Sequence, residues 1–127
     1  MKSLLIIDDD QDIGDALTSI LKEESYYVRF ASSGKMGLIL AQESSPDLIL
    51  LDWQMPQMGG KQVLAELASM PKLKDIPVIL MSANIANIPP ESLLSRKYLR
   101  KPFDVDLLIS MVAATQASCS RVPDLNF

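Results

Sequence analysis

Four aliphatic residues, from Leu48 to Leu51, run directly into the carboxylate of Asp52, and a loop rich in proline and glycine follows. A continuous apolar run bounded by turn-forming residues is typical of a strand buried on both faces, as in a parallel sheet. Open parallel sheets bind ligands at the carboxyl ends of their strands. Asp52 stands at such an end, so the run predicts either a residue that only caps a turn or a carboxylate in a ligand site.

Strands and helices alternate along the rest of the chain. A second aliphatic run, from Leu4 to Ile7, also ends in carboxylates. Strands are predicted at residues 4–7, 26–31, 48–51, 77–83 and 98–101. Helices are predicted from residue 12, at 34–43, at 60–69 and from 104. Such strand–helix units with right-handed crossovers predict an α/β fold, a single doubly wound five-stranded parallel sheet with helices on both faces. The order 2-1-3-4-5 places strands one and three together in the centre.

Three parts of the chain carry local detail. The first helix shows an apolar stripe in which Ala16 is expected to face the core, and either Asp10 or Asp12 can cap it. Pro89 and Pro90 forbid a helix across themselves, so the fourth helix is expected to be short or irregular, with one or two turns through residue 95. Residues 118–127 are polar and contain a proline, and they are expected to fray as a tail behind a domain at 1–117.

Composition excludes several classes of function. The chain of 127 residues has a net charge of −4, which argues against nucleic acid as a partner. It has no histidine, which rules out a catalytic triad, a histidine zinc site and a phosphohistidine on this chain. Cys119 is the single cysteine, as expected for a protein of the reducing cytoplasm. No apolar run approaches the ~20 residues that span a bilayer, so no membrane partner is expected.

The predicted topology brings polar side chains to one edge of the sheet. Asp8, Asp9 and Asp52 converge where strands one and three end. When carboxylates are held close together, either their pKa values rise or a cation binds among them. Hard oxygen ligands without histidine or cysteine suit Mg²⁺. Ser82 ends strand four and Lys101 ends strand five on the same edge. An aspartate nucleophile, a divalent cation and a lysine together make a phosphoryl-transfer site.

With these residues the chain resembles the response-regulator receiver domains of two-component signalling, which have a flavodoxin-like fold. The resemblance covers residues 2–117. It rests on an aliphatic run into Asp8-Asp9, Asp52 followed by Met55-Pro56 and Gly60, Ser82-Ala83, and Lys101-Pro102-Phe103.

The resemblance implies a role for each matching position. Asp52 is the expected phospho-acceptor. The Mg²⁺ ligands implied are Asp9, Asp8 through water, Asp52 and the backbone carbonyl of Gln54. Phosphoryl contacts are implied for Ser82, Ala83 and Lys101, and a conformational switch for Ser82 and Tyr98. Side chains at Gln54 and Asn84 are expected to influence how long the phosphate lasts. The family also implies a cis peptide between Lys101 and Pro102.

We therefore expect a stand-alone receiver that takes a phosphoryl group from a sensor histidine kinase or phosphotransfer protein and signals to a downstream protein. It would assist its own phosphorylation without being a turnover enzyme. Two alternatives remain open: a phosphorylation-independent interaction module, and a haloacid-dehalogenase-like phosphatase with Asp8 as nucleophile. Against the phosphatase, Asp12 stands where a threonine would be needed. Individually, Asp8 could belong to a helix start, Tyr98 could simply pack at a sheet edge, and Lys101 could be a solvated charge.

The chain departs from the family pattern in two places. The segment between Ser82 and Lys101 is shorter than usual and carries the two prolines. Because the fourth helix, strand five and the last helix form the output face of the family, a short fourth helix would alter that face. Gly59 also stands where an acidic residue is common.

Overall fold

A sheet of five parallel strands in the order β2-β1-β3-β4-β5 forms the centre of the protein. The computed structural model describes residues 2–94 and 96–121, with side chains described through residue 115. The strands are β1 Ser3–Ile7, β2 Tyr27–Ala31, β3 Leu48–Asp52, β4 Val78–Ser82 and β5 Lys97–Arg100. The helices are α1 Gln11–Glu23, α2 Gly34–Ser44, α3 Gly60–Ala68, α4 Pro90–Leu93 and α5 Val105–Arg121, with a 3₁₀ turn at Ile85–Asn87. The predicted strand order and helix–strand alternation are confirmed.

The central strands are buried on both faces, as their continuous aliphatic sequences predicted. Every residue of β3 and of β4 is buried. On one face, Leu5 and Ile49 pack in a cluster with α2 and α3, while on the other Leu4 and Leu50 pack with α1 and α5. Helices therefore cover both faces of the sheet. The edge strands β2 and β5 are only partly buried, and their bounds differ by one residue from those predicted.

The first helix begins at Gln11, and Asp10 is its cap. The Asp10 carboxylate accepts hydrogen bonds from the backbone amides of Asp12 at 3.0 Å and Ile13 at 3.3 Å. The expected core position of Ala16 is wrong, because Ala16 is exposed and Gly14 is buried instead. An added Cβ on Gly14 would lie 2.2 Å from Phe30 Cε1. Helix α1 therefore packs against Phe30 through a glycine, which a pattern of apolar side chains does not include.

The fourth helix is a single turn, as the two prolines predicted. A 3₁₀ turn at Ile85–Asn87 follows β4, and Pro90 stands at the first position of α4. The helix ends at Leu93, before Ser95, which lies outside the described residues.

The last helix extends beyond the predicted domain boundary. Its range continues to Arg121, four residues past the boundary expected at residue 117, and the expectation that the tail frays stays a prediction. The remaining expected tail, 122–127, lies outside the described residues. Asp104 caps the start of α5, with its carboxylate accepting from the amide of Asp106 at 2.8 Å. Within the part of the chain that the structure describes, no helix has the length and hydropathy needed to cross a bilayer.

Candidate functional site

Three carboxylates meet at the carboxyl ends of β1 and β3. Each of Asp8, Asp9 and Asp52 offers an oxygen atom, and these atoms lie within 4.8 Å of one another. Parallel pairing of β1 with β3 places the acids together, with Ile7 opposite Leu51 in register. Asp8 is fully buried and Asp52 is buried, whereas Asp9 is exposed. A cluster of hard oxygens that is open on one side fits Mg²⁺, which keeps several water ligands and uses few carboxylates.

Lys101 reaches two of these acids from the far edge of the sheet. Its Nζ donates to Asp8 Oδ2 at 2.7 Å and lies 3.2 Å from Asp52 Oδ1. The Lys101 amide donates to the Ser82 carbonyl at 2.9 Å, which continues the β4–β5 pairing by one residue. The peptide between Lys101 and Pro102 is cis, as the family resemblance implied. Lys101 is thus a partly buried counterion and not a solvated charge.

The carboxyl group of Asp52 is electrostatically perturbed. Burial, and then the negative charge of Asp8, raise the pKa of Asp52 to about 7, although Lys101 acts in the opposite direction. For Lys101, burial opposes the charged form, but the hydrogen bond to Asp8 and the charges of Asp52 and Asp8 outweigh it and raise the pKa of the ammonium group. Three ionised carboxylates and one ammonium group together carry a net negative charge, which a divalent cation would offset.

The hydroxyl group of Ser82 lies at the end of β4 and is engaged with the following turn. Ser82 Oγ donates to the carbonyl of Asn84 at 3.1 Å and accepts from the amide of Asn84 at 3.2 Å. Asn84 Oδ1 accepts from the amide of Ala86 at 3.0 Å. Ser82 was expected at this edge of the sheet, whereas this turn was not predicted. A serine and an asparagine two residues apart are the composition from which such local side-chain-to-backbone bonds form.

Tyr98 and Gln54 occupy different surroundings. The half-buried Tyr98 packs against the core cluster beneath α2 and α3, and its hydroxyl donates to the Ser82 carbonyl at 2.8 Å. It therefore packs at the sheet edge and also touches a residue of the site. Gln54 is exposed in the loop after β3. Ala83 follows Ser82 and helps to line a surface cavity of about 450 Å³.

Trp53 follows Asp52 directly and belongs to the core. It is buried in the core cluster that includes Leu5 and Ile7, so it is a core aromatic. Its amide also donates to the Met81 carbonyl at 2.9 Å, which carries the β3–β4 pairing one residue past Asp52. The backbone of Trp53 thus belongs to the strand end on which Asp52 stands.

The fold is a doubly wound parallel sheet with an acidic cluster and a lysine at the carboxyl ends of its strands, and comparison with known proteins identifies its family. The chain matches the family described as the response regulator receiver domain over residues 4–113. The chain belongs to this family. Receiver domains are signalling modules that interact with histidine kinases or phosphotransfer partners and bind Mg²⁺ in an acidic pocket. This membership decides against the haloacid-dehalogenase-like alternative.

The chain is also similar to two curated proteins. The chain is 35% identical over 127 residues to the DNA-binding dual master transcriptional regulator RpaA of Synechocystis, covering 97% of this chain but 52% of RpaA. It thus spans about half the length of that relative. It is also 31% identical over 123 residues to a 14.6 kDa protein of Leptolyngbya boryana, covering 94% of this chain and 92% of that protein.

Solved structures show the same fold. The Francisella response regulator 1452 receiver domain is 31% identical, with a TM-score of 0.81 over 93% of this chain and 98% of that one. A putative response regulator from Chloroflexus aurantiacus is 26% identical, with a TM-score of 0.80 over 91% of this chain and 98% of that one.

Proposed function

We propose that this receiver domain accepts a phosphoryl group on Asp52 from a sensor histidine kinase or a phosphotransfer protein. The observation that carries the proposal is the position of Lys101 Nζ, which lies 2.7 Å from Asp8 and 3.2 Å from Asp52 within an acidic cluster. A cation held there can pair with a phosphoryl oxygen while the Asp52 carboxylate loses its negative charge by forming the bond to phosphorus. In the transfer, an Asp52 oxygen forms a bond to phosphorus while the phosphorus–nitrogen bond of the donor histidine breaks, and that electron pair stays on the donor imidazole.

The carboxylate of Asp52 must be ionised to attack phosphorus. A pKa of about 7 leaves part of the Asp52 population protonated at neutral pH, so a cation at the site favours the reactive form. Mg²⁺, held by Asp8, Asp9, Asp52 and the carbonyl of Gln54, would supply charge to offset the phosphoryl oxygens. The chain itself orients Asp52 at the end of a fully buried strand.

The phosphorylated state is proposed to signal through the carboxyl end of β4 and the neighbouring edge strand β5. Ser82 and Ala83 would contact the phosphoryl group, and Tyr98 is tied to the same backbone through its bond to the Ser82 carbonyl. The downstream partner is proposed to be a protein that reads this surface in the cytoplasm. The chain would promote its own phosphorylation and dephosphorylation, without turning over an external substrate.

A second candidate is a receiver-shaped module that binds its partner without phosphate. Exposed apolar side chains around the short fourth helix favour it, since Ile85 is 49% exposed and Leu94 is 70% exposed. An apolar surface that needs no rearrangement to be accessible can bind constitutively.

The experiment is labelling with a phosphorylated histidine donor and, separately, with a small phosphoramidate. Wild type should become labelled with an acid-stable, base-labile bond, and Asp52→Asn should not. Asp75→Asn is the matched control, because Asp75 is an exposed acid outside the cluster. Equal labelling of wild type and Asp52→Asn would refute the proposal. Partner binding that Asp52→Asn leaves intact would support the second candidate.

A further inference from the structure

The hydroxyl of Ser82 is bound in a way that prevents it from serving the phosphoryl site. Its single proton is donated to the Asn84 carbonyl at 3.1 Å, and the Asn84 amide donates back to the oxygen at 3.2 Å. A hydroxyl has one donor hydrogen, so Ser82 cannot donate to a phosphoryl oxygen on Asp52 while the bond to Asn84 persists. Ser82 is 2% exposed, so solvent does not readily compete for this proton.

The side chain of Asn84 holds the turn that makes this bond. Asn84 Oδ1 accepts from the Ala86 amide at 3.0 Å, which is the capping arrangement of a helix start, and the Asn87 amide donates to the Asn84 carbonyl at 3.0 Å. The turn at Ile85–Asn87 contains no buried residue, so little core packing supports it. Ile88 anchors the far end of the turn in the core, and the Asn84 cap holds the end next to Ser82.

We infer that Asn84 is a positioning residue whose side chain holds this turn, and that the turn withholds the Ser82 hydroxyl from the phosphoryl group. The inference rests on the proposed function and names a regulation of the same site. On phosphorylation, the Ser82 proton is donated to a phosphoryl oxygen and the bond to the Asn84 carbonyl is lost. The effect of Asn84 on the phosphorylated state thus passes through Ser82. It does not arise from contact between the amide side chain and the phosphoryl group.

This arrangement makes the turn the moving part of the switch. Tyr98 bonds to the backbone carbonyl of Ser82 and not to its hydroxyl, so that bond does not depend on where the Ser82 proton goes. The 450 Å³ cavity is lined by Asn84 and Ile85 of the turn together with Tyr98 and Arg100 of β5. Release of the turn would therefore change the shape of this cavity.

The test is the affinity for beryllofluoride in the presence of Mg²⁺, an analogue of the phosphoryl group, followed by Trp53 fluorescence. Loss of a capping side chain costs about 1 kcal/mol, which corresponds to a factor of about five. Asn84→Ala should therefore bind beryllofluoride about fivefold more tightly than wild type, since less energy is needed to release Ser82. Asn84→Val should do the same, and it suits the extended backbone of an exposed residue with φ −142° and ψ 115°. Asn84→Ser retains a capping oxygen and should keep the wild-type affinity.

A double-mutant cycle separates this role from a merely structural one. In a Ser82→Ala background, Asn84→Ala should have no further effect, because there is no hydroxyl left to release. Unchanged or weaker binding by Asn84→Ala in the wild-type background would overturn the inference. So would a fivefold gain that survives Ser82→Ala.

The proposed function and the inference fail in distinguishable ways. If wild type and Asp52→Asn respond identically to beryllofluoride and Mg²⁺, the phospho-acceptor proposal fails and the inference with it. If wild type binds, Asp52→Asn does not, and the Asn84 variants match wild type, the inference alone fails.

Discussion

Lys101 donates a 2.7 Å hydrogen bond to the carboxylate of Asp8, although 93 residues separate the two in the chain. Asp8 is fully buried, and the ammonium group of Lys101 is its counterion inside the protein. The same ammonium lies 3.2 Å from Asp52. One cation therefore links the first strand to the last and also serves the proposed phospho-acceptor.

Replacing Lys101 by methionine should destabilise the protein as well as remove the proposed phosphoryl contact. The change leaves the buried charge of Asp8 unpaired, and we expect the free energy of unfolding in urea to fall by about 3 kcal/mol without divalent cations. Mg²⁺ should restore part of this loss, because a cation at the cluster replaces the missing charge. Lys97→Met is the control, since Lys97 is exposed at the start of β5 and has no ion pair within the described residues. Equal losses in the two variants would contradict the structural role.

The stability of the metal-free protein should fall as the pH rises toward neutrality. The pKa of Asp52 is raised to about 7 by burial and by Asp8, whereas an unfolded aspartate titrates near roughly 4. The folded state thus holds this proton more tightly, so the stabilising contribution is complete below about pH 4 and is lost by about pH 7. The slope should be on the order of 1 kcal/mol per pH unit. Urea unfolding between pH 4 and 8 in a chelator would measure it.

Asp52→Asn is the reference for that measurement, because it removes the titrating group. As the pH rises, the free energy of unfolding of wild type should fall relative to that of Asp52→Asn. Saturating Mg²⁺ should make this difference less dependent on pH. Parallel pH profiles for the two proteins in chelator would show that Asp52 does not titrate in this range.

Mg²⁺ at millimolar concentration should change the fluorescence of Trp53. Trp53 follows Asp52 directly and is 8% exposed, so its emission should report a change of charge at the strand end. Asp9→Asn should weaken the apparent affinity for Mg²⁺ by roughly tenfold or more, because it removes an oxygen from the cluster. Asp12→Asn removes an exposed acid of α1 that lies outside the cluster and should leave the titration unchanged. Coincident titrations for Asp9→Asn and wild type would exclude Asp9 as a ligand.

The two adjacent glycines before α3 should respond differently to an added side chain. A Cβ on Gly60 would lie 2.7 Å from Trp53 Cε3 and 3.0 Å from Trp53 Cα, so a rigid ring or the backbone must shift. We expect Gly60→Ala to lower the free energy of unfolding by about 1–3 kcal/mol. Gly59 has no neighbour closer than 3.5 Å and caps the helix, where serine is favoured, so Gly59→Ser should be neutral or stabilising. Thermal unfolding of both variants tests this, and similar melting temperatures would contradict it.

Local sequence patterns were sufficient to predict the central strands, whose residues are buried along nearly the whole length of each strand. The aliphatic runs at 4–7 and 48–51 predicted two central strands, because a strand covered on both faces cannot alternate with polar residues. The bounds of central and edge strands alike differ by one residue at one or both ends from those predicted, because local sequence does not specify where the ladder of hydrogen bonds stops. The first helix was misjudged at Ala16, because Gly14 contributes to packing by having no side chain.

The sequence alone determined which chemical groups reach one edge of the sheet, because parallel strands all present their carboxyl ends on the same side. Covalent order and residue type were enough to bring together Asp8, Asp9, Asp52, Ser82 and Lys101. Tertiary structure alone decided how these groups pair. Lys101 lies nearer to Asp8 than to Asp52, and Ser82 bonds to Asn84, because distances of a few tenths of an ångström follow from strand register and side-chain packing across the whole sheet.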